Sequence, residues 1–309
     1  LTVFRLRDED QIAVLEMGIS DFGEMARLTK IAKPDTCVIT NIGTCHLENL
    51  GDRDGVLKAK TEIFQSMKPN GHIVLNGDDD KLITVREYNG VKPVFFGLNS
   101  GRDVYADQIE SKGLKGVACR IHLGEDAFDV LVPTPGIHMV YNALAAAAVG
   151  RIYGLTIEEI RRGIESLETI RGRFKMIETD KFLVVDDCYN ANPMSMKASL
   201  DVLHDGEGRR VAILGDMGEL GEDEAALHEG VGIHAATCGI DACVCVGDLA
   251  VHIAEAARKA NPDFPVYYEK TRESLLEHLN DYVQKGDTIL VKASHFMKFE
   301  EVVKALEEM

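Results

Sequence analysis

Two kinds of hydrophobic periodicity alternate along the chain, and together they predict an α/β protein. Short apolar runs of three to six residues, rich in valine and isoleucine, have the length and β-branched content of buried strands. Between most of them, apolar positions recur at helical spacing, which predicts helices with one buried face. Alternation of this kind is typical of parallel sheets covered by helices. The predicted strands are residues 12–17, 37–42, 72–76, 182–187, 211–214, 242–246, 266–268 and 288–292.

The pattern changes between about residues 94 and 132. Alternating apolar and polar positions separated by glycine predict three antiparallel strands there. Residues 142–149 then predict an alanine-rich helix, and Thr156 to Glu159 form a capping box that opens another. A boundary near Ile170 divides the chain into two domains, 1–170 and 171–309. We expect a mostly parallel sheet with an antiparallel portion in the first, and a Rossmann-like unit in the second.

One lysine interrupts the apolar face of the helix predicted for residues 54–67. Lys60 lies at the centre of that face, four residues after Val56 and four before Phe64. Burial of an unpartnered ammonium is costly, so we expect a lowered pKa and an accessible neutral amine. A neutral amine can add carbon dioxide, and the resulting carbamate could ligate a metal. The alternative is a lysine whose ammonium snorkels past the apolar face to water.

Two further candidate metal ligands lie at the ends of predicted strands. Glu16 ends the run 12–17, and His46 follows the run 37–42. Because ligands collect at the carboxyl ends of parallel strands, we expect both side chains at one edge of the sheet, where the helix bearing Lys60 begins. A carboxylate, an imidazole and a carbamate suit a hard divalent cation. The sequence therefore predicts a metal site formed by these three residues.

Several longer motifs resemble those of one known family, and they occur in that family's order. They are LEMGISDFGEM, ITNIGTCHLENLG, GVLKAKTEIF, PGIHMVYNALAAAA, GRFKMI, DDCYNANPMSM and LGDMGELGE. The chain thereby resembles, over nearly its whole length, the Mur ligases, which are ATP-dependent enzymes of peptidoglycan precursor synthesis. An ordered set of motifs is far more specific than any one of them. The last two are most similar to those of the member that adds D-alanyl-D-alanine to UDP-N-acetylmuramoyl-tripeptide.

The resemblance implies a reaction, two cofactors and a set of site residues. ATP would phosphorylate the terminal carboxylate of the tripeptide, and the amine of D-alanyl-D-alanine would attack the acyl phosphate. Magnesium would neutralise the anions that meet there. By family position, the magnesium site would comprise Glu16, His46 and Lys60, and the catalytic residues would be Lys60, Arg173 and Asp187. The nucleotide would be contacted by Asn142, Arg173 and Asp187. The residues on the substrate side would be Asn190, Asn192, Gly215 and Asp216.

The sequence departs from the family in three places. His138-Met139 stands where the family usually has His-Asn before the adenine-binding Asn142, and His295 stands where an arginine is expected. The phosphate-binding pattern GxxxxGK[ST] does not occur, nor does a counterpart of the family's uridine-nucleotide domain. We therefore expect a fragment truncated at its N-terminus, with no ligase activity on its own and weak ATP affinity.

The net charge and the spacing of the cysteines limit the classes of binding partner and the compartment that we expect. A formal net charge of −17 argues against nucleic acid or an anionic membrane as the main partner. The chain has no apolar stretch long enough to span a bilayer, so we expect no membrane insertion. Seven cysteines without a disulfide or zinc spacing favour a reducing cytoplasm. We expect a cytoplasmic monomer.

Three alternatives remain open from the sequence. A folylpolyglutamate synthetase shares the fold and the lysine site, although DDCYNANP and LGDMGELG favour the Mur ligase. A non-catalytic binding fragment is the second, because the phosphate-binding loop is absent. The third, a dinucleotide-dependent oxidoreductase, is the weakest, since the GxGxxA match at residues 230–235 lies inside a helical pattern and not in a strand-to-helix turn.

Overall fold

The computed structural model describes residues 2–44 and 46–309, which form two six-stranded sheets with helices packed on them. The first sheet has the strand order β1-β2-β3-β4-β5-β6. The pairs from β1 to β4 are parallel, and β4, β5 and β6 are antiparallel. Its strands are β1 (Thr36–Ile39), β2 (His72–Asn76), β3 (Val94–Gly97), β4 (Val104–Ser111), β5 (Val117–Leu123) and β6 (Asp126–Val132). The predicted mixture of parallel and antiparallel strands is confirmed.

The helices of the first domain pack around both faces of this sheet. They are α1 (Glu24–Ala32), α2 (Leu47–Leu50), α3 (Arg53–Thr61), α4 (Ile137–Ile152) and α5 (Ile157–Glu165). Successive residues of a strand face opposite ways. On β2, Val74 therefore packs in the core beneath α4, whereas Ile73 and Leu75 pack in the core that α1 and α3 share. The predicted capping box opens α5, where Thr156 and Glu159 bond each other's backbone N–H.

The second sheet has the order β11-β10-β9-β12-β8-β7, with every pair parallel except β7 and β8. Its strands are β7 (Lys175–Glu178), β8 (Leu183–Asp186), β9 (Arg210–Gly215), β10 (Ala242–Val246), β11 (Val266–Glu269) and β12 (Thr288–Lys292). Its helices are α6 (Pro193–His204), α7 (Glu224–Thr237), α8 (Ala250–Ala260), α9 (Arg272–Tyr282) and α10 (Glu300–Glu308). Separate apolar cores on its two faces explain why β9, β10 and β12 are buried at every position except Arg210.

Two predictions about local structure near the first sheet are wrong. Residues 11–19 contain no strand, and Ile12 and Val14 are 77% and 93% exposed. A strand needs a partner, and within the described residues β1 pairs with β2 alone, so this run stays unpaired. The helix predicted for 54–67 ends earlier, because α3 stops at Thr61 and Glu62–Ser66 continues as a 3₁₀ helix. Glu16 is therefore carried by an extended loop.

Two global properties follow from the described residues. No helix in them combines the length and the apolar character needed to cross a membrane. The six cysteines that lie in them are all free thiols. Burial raises the pKa of the thiols of Cys37 and Cys119, to about 12 and about 11 respectively, so both stay protonated packing residues.

Candidate active site between the two sheets

Helix α3 brings Lys60 to the carboxyl end of β1. The helix begins at Asp52, whose side chain accepts the Gly55 N–H, and Val56 is buried against the first sheet. Lys60 is half-buried, and its Nζ donates to the carbonyl oxygen of Asn41 at 2.9 Å, two residues past the end of β1. The amine therefore lies at the sheet edge where the sequence predicted it, although it is less buried than its place among apolar residues suggested.

His46 lies at the same end of the first domain and contacts the second. It precedes α2 with a left-handed backbone (φ 59°), and its Nδ1 lies 2.9 Å from Oε2 of Glu219. Glu219 belongs to the loop after β9 and is itself left-handed, with φ 61°. The His46 side chain is 29% exposed and that of Glu219 is 67% exposed. Two left-handed residues thus meet across the cleft.

Glu16 also faces a residue of the second domain. Its carboxylate is 88% exposed, and its Oε1 lies 3.9 Å from Nη2 of Arg173. The Arg173 guanidinium stacks over the ring of Tyr189, with Cζ 4.3 Å from the ring centroid, and the edge of that ring contacts His295. Arg173 therefore lies between the two domains. A guanidinium at this position can donate N–H groups to an anion.

Glu16, His46 and Lys60 form the side of the site that we call the first edge. The donors on this edge suit magnesium only if a bound phosphate completes the coordination. No group of three or more His, Cys, Asp or Glu side chains able to hold a metal occurs in the part of the chain that the structure describes. Glu16 and His46 supply one oxygen and one nitrogen, and an uncarbamylated Lys60 supplies none. Magnesium in nucleotide sites is commonly bound by one or two protein ligands plus substrate phosphates and water. The donor set is compatible with that arrangement.

The opposite side of the site, which we call the second edge, belongs to the second domain and is built around the buried ion pair of Asp187 and Lys292. Lys292, at the end of β12, is 2% exposed, and its Nζ donates to Asp187 Oδ2 at 2.6 Å and to the carbonyl oxygen of Asn190 at 3.0 Å. Ser199 Oγ lies 2.7 Å from the same carboxylate oxygen, and the Phe174 N–H donates to Oδ1 at 3.2 Å. The carboxylate predicted to lie near the nucleotide is thus fixed by the protein itself. Sequence reasoning missed Lys292, because nothing near it in the chain indicates a carboxylate partner.

The predicted asparagines have different surroundings. Asn192 precedes α6, and its side chain accepts the Ser195 N–H at 2.9 Å within a capping box, so it caps the helix. Asn190 is exposed beside it, and its Oδ1 accepts the Ala191 N–H at 2.8 Å. Asn142 is exposed on α4, with its Nδ2 3.4 Å from Met139 Sδ. Asn142 and Asn190 are accessible to a ligand.

Gly215 and Asp216 have roles within the fold. A Cβ at Gly215 would lie 2.7 Å from the Ala293 Cβ, so close packing of neighbouring strand ends requires glycine there. Asp216 is buried, and its Oδ1 accepts the N–H groups of Leu249 and Ala250 at the start of α8. Burial raises the pKa of the Asp216 carboxyl. In this loop it is Glu219 that reaches the cleft, a contact that the motif alone did not indicate.

Comparison with known proteins identifies the family to which this chain is similar. The family model described as Mur ligase middle domain matches residues 1–150, and the one described as Mur ligase, glutamate ligase domain matches residues 172–295. The UDP-N-acetylmuramoyl-tripeptide–D-alanyl-D-alanine ligase of Bacillus subtilis is 37% identical, over 100% of this chain and 67% of its own length. The Escherichia coli enzyme of the same name is 35% identical, over 100% of this chain and 68% of its own length.

Solved structures give the same result. MurF from Acinetobacter baumannii superposes with a TM-score of 0.88 at 33% identity, over 98% of this chain and 66% of that chain. The MurF ligase of Thermotoga maritima in complex with ADP has a TM-score of 0.79 at 28% identity, over 94% of this chain and 65% of that chain. The chain spans about two thirds of the length of these relatives. The predicted resemblance is confirmed, and the chain belongs to the Mur ligase family.

Proposed function

We propose that this chain forms the ATP-using part of a ligase that adds D-alanyl-D-alanine to UDP-N-acetylmuramoyl-tripeptide. The relatives that support this substrate pair are the ligases of that name in Bacillus subtilis and Escherichia coli. The observation that carries the proposal is the position of Arg173, which lies between Glu16 of the first domain and Tyr189 of the second. A phosphoryl group that enters the cleft there would meet one arginine and the candidate magnesium ligands together.

The reaction forms one amide bond at the expense of one phosphoanhydride bond. The terminal carboxylate of the tripeptide attacks the γ-phosphorus of ATP, and ADP leaves. The amine of D-alanyl-D-alanine then attacks the carbonyl carbon of the acyl phosphate, and inorganic phosphate leaves. Arg173 donates N–H groups to the transferring phosphoryl oxygens and offsets their negative charge. Glu16 and His46 would hold magnesium, which would supply further positive charge to the same phosphoryl oxygens.

The remaining site residues hold the reactants in place. In this proposal Lys60, carbamylated at Nζ, supports the magnesium site from the carboxyl end of β1. Asn142 contacts the adenine, and Asp187 lies at the nucleotide side of the cleft, where Lys292 keeps it fixed. Two further loops face the incoming dipeptide, and they contain Asn190, Asn192, Gly215 and Asp216. Positioning of this kind supplies much of the rate in phosphoryl transfer.

A chimaeric enzyme tests the proposal directly. This chain would replace the matched segment of the Bacillus subtilis ligase, which is 311 residues in the alignment. Purified chimaera is incubated with ATP, magnesium, UDP-N-acetylmuramoyl-tripeptide and D-alanyl-D-alanine, and the amide product and phosphate are measured. We expect both in equal amounts, with no product when D-alanyl-D-alanine is left out. A folded chimaera that binds ADP and makes no amide product would contradict the proposal.

A further inference from the structure

The contact between His46 and Glu219 combines three unusual features. Both residues have left-handed backbones, with φ values of 59° and 61°, and neither is glycine. Such conformations cost free energy for a residue with a Cβ, and they persist where the surrounding structure holds them. The two residues come from different domains, yet His46 Nδ1 and Glu219 Oε2 are 2.9 Å apart. The strained backbones on both sides aim the two side chains at each other.

The contact with Glu219 bears on how His46 could bind a metal, because it affects the tautomer of the imidazole ring. Imidazole has two ring nitrogens, and the hydrogen bond that one makes determines which of them carries the proton. Histidines that bind metals usually donate the N–H of the other nitrogen to a carboxylate or carbonyl, which fixes the ring and its tautomer. At His46 the carboxylate is on Nδ1, so in the neutral ring the lone pair lies on Nε2. That nitrogen is then the one available to a cation.

We propose that Glu219 is a positioning residue for the divalent cation site. It holds the His46 ring in the tautomer that presents Nε2, and it does so from the second domain. This inference relies on the proposed role of His46 as a magnesium ligand, and it adds the residue that couples that role to the position of the second domain. Because coupling between two equilibria is reciprocal, a bound cation also favours the approach of the loop that carries Glu219.

Two other acidic residues are less suited to this role. Glu24 lies close enough for its pKa to be affected by His46, but it already accepts the N–H groups of Ser20 and Asp21 at 2.8 and 3.2 Å. Glu16, the other proposed cation ligand, pairs with Arg173 at 3.9 Å. In the described part of the chain, the carboxylate of Glu219 has His46 as its only hydrogen-bond or ion-pair partner. The Glu219 carboxylate can therefore accept the Nδ1–H of His46 without giving up another partner among the described residues.

The test measures the tautomer and the cation affinity separately in the 309-residue chain. Ring ¹⁵N signals of His46 are assigned with His46→Ala and recorded in the parent chain, Glu219→Ala and Glu219→Gln. Mn²⁺ affinity is measured by the EPR signal of free Mn²⁺. The control is Glu222→Ala, which removes an exposed carboxylate three residues further along the same loop. Since Glu219 and Glu222 are both exposed, neither substitution is expected to prevent folding.

We expect Glu219→Ala to lose the preference for the Nδ1–H tautomer and to weaken Mn²⁺ binding by about 10- to 100-fold, the usual effect of removing a carboxylate behind a ligand histidine. Glu219→Gln keeps an oxygen acceptor, so it should restore the tautomer and much of the affinity. Glu222→Ala should match the parent chain. A residue that only held the domains together would leave the ring tautomer unchanged.

The results separate this inference from the function it builds on. If His46→Ala weakens Mn²⁺ binding and Glu219→Ala leaves the tautomer and the affinity as in Glu222→Ala, the inference about Glu219 is overturned and the proposed cation site stands. If the parent chain takes up no Mn²⁺, or His46→Ala binds it as well as the parent does, the cation role of His46 is overturned and the inference falls with it.

Discussion

The two edges that face each other across the cleft are built in opposite ways. On the second edge, Asp187 and Lys292 are mostly buried and fully partnered before any ligand arrives. On the first edge, Glu16 is 88% exposed, and it meets Arg173 only at 3.9 Å. A site whose groups are already satisfied is preorganised, whereas exposed and weakly paired groups still have capacity to bind. In the proposed function, the second edge would supply a rigid frame, and the first edge would receive the cation and the phosphates.

The largest expected effect is a loss of ligase activity on substitution of Lys60, on the first edge. In the chimaera, Lys60→Ala should abolish ligation, because the carbamate that supports the magnesium site can no longer form. The fold should survive, since alanine is the best helix former and Lys60 lies on the helix α3. Ligation is measured as amide product, and added short carboxylic acids should restore some of it by filling the vacated place.

Lys58→Ala is the matched control for that experiment. Lys58 lies on the same helix but is exposed, with its Nζ 5.4 Å from the centroid of the Phe22 ring. Its removal should leave turnover near that of the parent. Near-normal turnover in Lys60→Ala would show that the half-buried lysine is a packing residue that donates to Asn41 and nothing more.

The next largest effect is a loss of stability on the rigid edge. Lys292→Met removes the cation from a buried pair and leaves the Asp187 carboxylate uncompensated. Breaking such a pair from one side costs on the order of 3–5 kcal/mol of unfolding free energy. Urea unfolding of the chain measures it. The comparison is Lys304→Ala, since Lys304 pairs with Glu308 at 3.6 Å on the surface and should contribute little. Equal stability of the two variants would refute the rigid-frame interpretation.

The Arg173 substitution tests whether the residue between the two edges serves the chemistry. Removing one donor to a developing negative charge typically costs about 10²–10³ in rate, and we expect that loss of kcat for Arg173→Ala in the chimaera. Stability should change little, because the side chain is 46% exposed. Arg171→Ala is the control, since Arg171 is exposed and pairs with Glu307 instead. An equal loss in both variants would assign the effect to folding of the linker segment.

The contrast between the edges also explains what the sequence could and could not predict. Apolar runs and helical periodicity predicted most of the strands and helices of the two sheets, because the spacing of apolar residues is a local property of the chain. The Asn192 cap was predictable for the same reason, since cap and helix start are adjacent in sequence. The run ending at Glu16 has the composition of a strand, but pairing depends on a distant partner, and the described residues provide none.

The contacts that shape the site join distant residues, and for that reason no local pattern revealed them. Asp187 and Lys292 are 105 positions apart. His46 and Glu219 come from different domains, and nothing in the motif LGDMGELGE indicates that Glu219 contacts the first domain. Family resemblance pointed to Asp187, and the end of a predicted strand pointed to His46, but the fold was needed to find their partners. Predictions from sequence were therefore strongest for elements and weakest for ion pairs.

The smallest expected effect concerns Asp216, a buried carboxylate of the second domain that accepts backbone N–H groups at the start of α8. Burial raises the pKa of its carboxyl, so the folded state binds a proton more tightly than the unfolded chain does. The ionised carboxylate therefore costs stability at neutral pH, and that cost is relieved as pH falls through the folded pKa toward the unfolded value. Asp216→Asn removes the charge and keeps an oxygen that can accept the Leu249 and Ala250 N–H groups. Urea midpoints of parent and variant, compared between about pH 4 and 7, should differ most at the neutral end, with the variant equal or slightly more stable, and should converge in acid. A variant that is less stable throughout would mean that the negative charge itself, through its interaction with the start of α8, outweighs the cost of burying it.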